Sequence, residues 1–201
     1  MRRLNNRGIT LVEIVVSIAI ISLIAAAAVE IFIFIFPKKG DVVIEQLSTQ
    51  SETRKVVDDF VNEIRGATYS SIGSYPIAEA SSTEIIFYSN PGAKATRDRV
   101  RYFLSGTNLN KGTIEPTGNP LVYDVNNEVV VEVLHSVVPT TTIFSYYDAN
   151  YTGSESPMSQ PVEIGLIKMV GIKVTIDKNP LMSPNSFTTE SKAIIRNLKD
   201  N

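Results

Sequence analysis

The chain has 201 residues, 43% of them hydrophobic, and 19 Lys and Arg against 21 Asp and Glu give a formal charge of −2. That balance offers no global attraction for a polyanion. The lack of cysteine excludes a disulfide framework, a thiolate metal site and a cysteine nucleophile, and one histidine, His135, is left for any chemistry that needs imidazole.

The first eight residues, MRRLNNRG, carry Arg2, Arg3 and Arg7 and no acid. From Ile14 to Val29 the chain is apolar apart from Ser17 and Ser22, and after Glu30 it continues IFIFIF to Phe36. As one helix, 9–36 would run about 42 Å at ~1.5 Å per residue, more than the ~30 Å hydrocarbon core of a bilayer. Arginines before the run predict a cytoplasmic N-terminus and an exported C-terminal domain, which Lys38 and Lys39 weaken without reversing. A secretory signal with small residues at AAAAVE, or a plain anchor, would account for the apolar run. Neither accounts for Glu13, because a carboxylate inside a membrane costs about 2.5–3.5 kcal/mol on insertion scales unless it finds a partner. Cleavage after Gly8 would solve this. Ile9 would then carry a new positive amine, and Glu13 would sit one turn along at the positive end of the helix dipole, a placement worth about 0.3–1 kcal/mol. Pairing of Glu13 with the amine of a neighbouring copy would fix axial register.

The stretch from Arg7 to Ala28, with Gly8, Ile9, Thr10, Leu11, Val12 and Glu13 followed by an unbroken apolar run, resembles the leader of type IV pilins and type II secretion pseudopilins. The resemblance implies cleavage after Gly8 and N-methylation of Ile9 by a prepilin peptidase, with Glu13 guiding subunit assembly. It further implies docking with other pilin or pseudopilin subunits at an inner-membrane assembly platform, after residence in the lipid bilayer. Two positions depart from the common pattern: Ile9 replaces the more usual Phe, and Glu30 stands where many major pilins carry a proline.

PKKGD, residues 37–41, reads as a boundary, since proline removes a helix hydrogen bond and Asp41 can cap a new helix after it. The expected organisation is therefore a cytoplasmic leader over 1–8, a membrane and filament-core helix over 9–36, and an exported head over 37–201. From Val42 to Arg65 an amphipathic helix is predicted, with Val43, Leu47, Val57, Val61 and Ile64 on one stripe and Val56 and Phe60 beside it. Gln50 and Arg54 interrupt that stripe, and Gly66 ends the helix.

Beyond Gly66 the period becomes two. Strands are predicted over 84–88, 99–104, 128–138, 142–147, 170–176 and 193–197, with a hairpin turn at SGTN (105–108) and loops at 116–120 and 148–157. On the fifth of these, Val170, Ile172, Val174 and Ile176 share one face while Lys173 and Thr175 face away. A helix followed by antiparallel strands predicts an α+β fold with the sheet laid on the helix. The order of FVNEIRGA, STEIIFYSN, VRYFLSGTNL, FSYYDAN and GIKVTI is similar to the heads of J-type pseudopilins and PilW-like minor pilins, which implies a minor subunit.

Candidate chemistry is sparse. His135 lies in a valine-rich stretch and reads as structural. Asp148, Asn150 and Glu155 are oxygen ligands of the kind calcium takes, but the spacing matches no EF-hand loop, and no metal or other cofactor is expected. Arg97, Arg99 and Arg101 are predicted to share one strand face, where they would grip an anion such as phosphate or pair with acids on neighbouring strands, the simpler reading. No Ser-His-Asp set, phosphate loop or zinc spacing is present, so no enzyme is expected. The sequence thus reads as a minor pilin or pseudopilin, single-pass in the cytoplasmic membrane and later part of a filament in the periplasm or at the cell surface. The alternative is an anchored or tip-located binding module, an adhesin or a DNA-capturing protein using the three arginines.

Overall fold

The computed structural model describes residues 9–90, 92, 94–139, 142–178 and 186–198, with the backbone alone for 34–46. The expected leader 1–8, Gly8 included, and the side chain of Val43 lie outside the described residues. The chain divides into two compact units, Met1–Ser48 and Thr49–Asn201.

One helix, α1 (Leu11–Arg65), begins in the first unit and ends in the second. Thr10 caps it, its Oγ1 accepting the Glu13 N–H at 3.3 Å while its carbonyl accepts the same N–H at 3.1 Å. Over Leu11–Ile33, 23 residues with a mean hydropathy of 2.6, this is the one described helix long and apolar enough to cross a membrane. Its side chains are exposed all round, and its two serines spend their hydroxyls inside the helix: Ser17 donates to the Glu13 carbonyl (2.7 Å) and Ser22 to the Ile18 carbonyl (2.8 Å). The surface offered to lipid or protein therefore stays apolar. The backbone remains helical through 37–41, so PKKGD does not interrupt it. A single proline removes one helical hydrogen bond, and here the helix-forming runs on both sides carry the backbone across it.

In the second unit α1 buries Thr49, Thr53, Val57, Phe60, Val61 and Ile64 at helical spacing. The expected stripe is rotated at its start: Leu47 is 61% exposed, and the threonines take the inner face. Thr53 is tolerated there because its hydroxyl donates to the Thr49 carbonyl at 2.7 Å. At Gly66 the helix tightens, with Gly66 N–H bonded to the Glu63 carbonyl and Ala67 N–H to that of Ile64, both at 3.1 Å.

Two antiparallel sheets follow. The first contains β1 (Ile77–Ala80), β2 (Glu84–Ser89), β3 (Asp98–Ser105), β4 (Asn108–Ile114) and β5 (Val129–Leu134), in that spatial order. The second contains β6 (Phe144–Tyr147), β7 (Met169–Ile176) and β8 (Phe187–Ile194). β3 and β4 are joined by Gly106 and Thr107, and Gly106 takes the left-handed φ of 61° that this tight turn needs. Val170, Ile172, Val174 and Ile176 are buried and Lys173 is exposed, as the alternation requires. Phe60 joins the layers, meeting Phe87 (6.3 Å) and Tyr102 (5.1 Å) of the first sheet edge-on and Phe144 of the second at 5.5 Å.

The expected strand 128–138 is two pieces. It leaves the first sheet after Leu134, turns at Ser136 (φ 54°), and Val137 bridges to Ile176 of the second sheet. The valines favour extended backbone on both sides of the turn, so period-two reading runs through it. At the C-terminal end β8 begins at Phe187, ahead of the expected 193–197, and Arg196–Leu198 forms a 3₁₀ turn that buries Leu198.

Candidate functional site

In the first unit Ile9 and Glu13 lie exposed at the start of α1, one turn apart, and Ile9 is the residue immediately before the Thr10 cap. Thr10-Leu-Val-Glu13 has the S/T-x-x-E spacing of a helix start, a signal in the sequence that the reading of Glu13 as an assembly residue passed over. The cap bond uses the Glu13 backbone N–H and not its carboxylate. Among the described residues of the apolar span Glu13 and Glu30 are the only acids.

The three arginines sit in different surroundings. Arg97 precedes β3, where its N–H donates to Ser71 Oγ (2.8 Å) and its carbonyl accepts the Tyr123 hydroxyl (2.7 Å). Arg99 and Arg101 share the outer face of β3, with Asp98, Val100 and Tyr102 on the inner one. Arg101 is held by Glu128, which accepts from Nε at 2.9 Å and from Nη2 at 2.8 Å, and by Glu84 at 3.4 Å. Its guanidinium lies 3.8 Å from the centre of the Phe103 ring. The Glu128 hydrogen bonds are the largest cause holding the Arg101 pKa above its ordinary value. Gly112 makes this possible: a Cβ there would stand 2.7 Å from the Glu128 carboxyl carbon.

Asp148 and Glu155 turn inward on their own loop. Asp148 accepts from the Asn150 N–H (2.9 Å) and amide (3.0 Å), while Glu155 takes the Thr152 hydroxyl and the N–H groups of Thr152, Gly153 and Ser154. Those hydrogen bonds, the Thr152 hydroxyl first, pull the Glu155 carboxyl down to about 2. Their oxygens satisfy the chain itself, and among the described residues no cluster of three metal-ligating side chains forms. His135 stands one residue beyond β5, mostly exposed, with Nδ1 against the Glu132 carboxylate.

Within the second unit a groove of about 350 Å³ runs between α1 and the first sheet, lined by Val56, Asp59, Asn62, Glu63, Tyr102, Lys111 and Val133. Within it Glu63 accepts from the Tyr102 hydroxyl (3.0 Å) and from the Lys111 ammonium. Burial foremost, and then the Glu63 charge, pushes the Tyr102 pKa up.

A family model described as the prokaryotic N-terminal methylation motif matches residues 3–29. Comparison with curated proteins gives no match. The match covers the basic leader and most of the apolar run, and the long apolar helix followed by a helix-and-sheet unit is pilin-like in architecture. These are the attributes of a structural subunit rather than an enzyme. The motif implies processing by a prepilin peptidase and membrane association before assembly.

Proposed function

We propose that this chain is a prepilin, cut after Gly8 and N-methylated on Ile9, that becomes a minor subunit of a type IV pilus or a type II secretion pseudopilus. The observation that carries this reading is the start of α1. Helix begins at Leu11 under the Thr10 cap, so cleavage after Gly8 leaves only Ile9 outside the cap and sets Glu13 one turn from the new amine. The all-round exposure of Leu11–Ile33 supports the rest. Lipid covers that surface before assembly, with the N-terminus in the cytoplasm and the head exported across the cytoplasmic membrane. Neighbouring subunits cover it afterwards, in a filament in the periplasm or at the surface. Burial persists while the solvent changes from acyl chains to side chains. In the packed core Glu13 meets the Ile9 amine of the next copy, and only one stagger brings the two together.

The test is intact mass after co-expression with a prepilin peptidase. Loss of residues 1–8 plus one methyl group is expected, and an unprocessed chain beside an active peptidase would refute the reading. Glu13→Ala should insert into the membrane normally and fail to enter filaments; normal incorporation of that variant would overturn the role given to Glu13. The binding-module alternative is less well supported, because Arg101 is held by Glu128 and Glu84 and Arg97 lies outside the strand.

A further inference from the structure

The step that would turn a prepilin into a subunit is hydrolysis of one peptide bond. Water adds across Gly8–Ile9, leaving a carboxylate on Gly8 and an ammonium on Ile9. A peptide bond inside a helix is a poor protease substrate, because its N–H and C=O are engaged four residues away and must be freed first. Where α1 starts therefore decides whether this bond can be reached. In the uncut chain it starts late: Ile9 and Thr10 are non-helical, and Leu11 is the first helical residue. Thr10 sets that start with two groups. Its carbonyl accepts from the Glu13 N–H (3.1 Å) and the Ile14 N–H (3.3 Å), and its Oγ1 takes the Glu13 N–H at 3.3 Å. Ile9 and Thr10 are both β-branched, which lowers their helix propensity, and Ile9 is 72% exposed. The sequence also holds a competing start. Asn6 belongs to a residue type that ranks above threonine as a cap, and a helix begun there would draw Gly8 and Ile9 into its first turn.

We propose that Thr10 is a positioning residue for processing: its cap starts α1 at Leu11 and so keeps the Gly8–Ile9 bond outside the helix, open to the peptidase. The role rests on the prepilin reading, since it has meaning only for a chain that is cut there. It is separate from the role of Glu13, because the cap uses the Glu13 backbone N–H and leaves the carboxylate free for a neighbouring copy. Replacing Thr10 by alanine removes the cap oxygen and puts the best helix former in its place, and both changes favour a start further upstream. The peptidase must then unwind a turn of helix before it can act.

The test follows cleavage of the full-length protein by a prepilin peptidase, with initial rates read by intact mass. Thr10→Ala should be cut about fivefold or more slowly, the ratio that a typical cap contributes. Thr10→Ser and Thr10→Asn both keep a capping oxygen and should stay within about twofold of the wild type. The second measurement is hydrogen exchange of the uncut protein in detergent micelles. A helix begun upstream gives the Leu11 and Val12 amides the carbonyls of Arg7 and Gly8, so both should exchange more slowly in Thr10→Ala than in the wild type. Three results would each overturn the proposal: equal cleavage of all four chains, an asparagine variant as slow as alanine, or slow cleavage of the alanine variant with exchange unchanged. The second of these would mean that the peptidase reads the threonine hydroxyl itself. A wild-type chain left uncut beside an active peptidase refutes the prepilin reading instead, so the two failures are distinct.

Discussion

Gly112→Ala should destabilise the second unit by about 1 kcal/mol, and the sign of the effect should reverse once Glu128 is removed. Gly112 sits in the middle of β4, opposite Arg101 of β3 and Val130 of β5. The volume its Cβ would need is occupied by Glu128, whose carboxyl carbon and Cγ would stand 2.7 Å and 3.1 Å away. The glutamate must swing out and release Arg101. A hydrogen bond to a charged group contributes about 1.5–3 kcal/mol net. The two side chains are 25% and 16% exposed, so solvent screening lowers this to about 1–2 kcal/mol. Alanine in place of glycine in a strand offsets about 0.5–1 kcal/mol of that through the unfolded chain. In a Glu128→Ala background the new methyl no longer meets a carboxylate, and only the favourable part remains. For a unit of this size about 1 kcal/mol moves the melting temperature by roughly 2–4 °C, within reach of thermal denaturation of the wild type and the three variants. Equal costs for Gly112→Ala in both backgrounds would refute the close-approach reasoning.

Phe60→Ala should cost about 3–5 kcal/mol, since the ring is fully buried and touches aromatic residues of both sheets; urea denaturation would read it, and a loss under about 1 kcal/mol would mean the layers meet elsewhere. Alkaline pH should destabilise the unit. Burial raises the pKa of Tyr102 and Tyr146, so both phenols stay neutral in the fold while the unfolded chain ionises near 10. Their contribution is therefore complete below pH 10 and declines as pH rises past it, by about 1.4 kcal/mol per pH unit for each group. Tyr102→Phe should flatten that decline, measured as unfolding free energy from about pH 8 to 11.5, and an unchanged slope would contradict the assignment.

How much of the structure is legible in the sequence depends on how strong each local pattern is. The apolar run and TLVE at 10–13 are local, and both expected features are in place: a long exposed helix and a carboxylate in its first turn. β3 alternates strongly, β2 is a short continuous apolar run buried on both faces, and both, with β7, stand where strands are expected. β4 is not legible, because NLNKGTI has only Leu109 and Ile114 as large apolar residues. Its inner position Lys111 is tolerated for a tertiary reason, the ion pair with Glu63 on α1. The rotated helix stripe has the same origin, since buried threonines read as polar until the Thr53 hydroxyl is seen bonded inside the helix. Ser136 hides the corner between sheets, for a left-handed serine leaves no mark in a valine-rich run. The arginines are legible as charges, but which acids reach them depends on strand order and on Gly112, the small residue over which Glu128 crosses β4 to meet Arg101.

Both sheets are meanders: every ladder joins strands that are consecutive along the chain. On the proposed route the head is exported as an extended thread that delivers its segments in sequence order, so each arriving strand would find its neighbour already present. Closures run from two residues between β3 and β4 to twenty-one between β6 and β7, and pairing only chain neighbours limits the entropic cost of each. β6 precedes its partner β7 by twenty-one residues, and until β7 arrives Phe144 has Phe60 of α1 to pack against. The first sheet, resting on the end of α1, is thus ready as the template on which the second condenses, and the valine edge of β5 is the growing end at which its zipping stops.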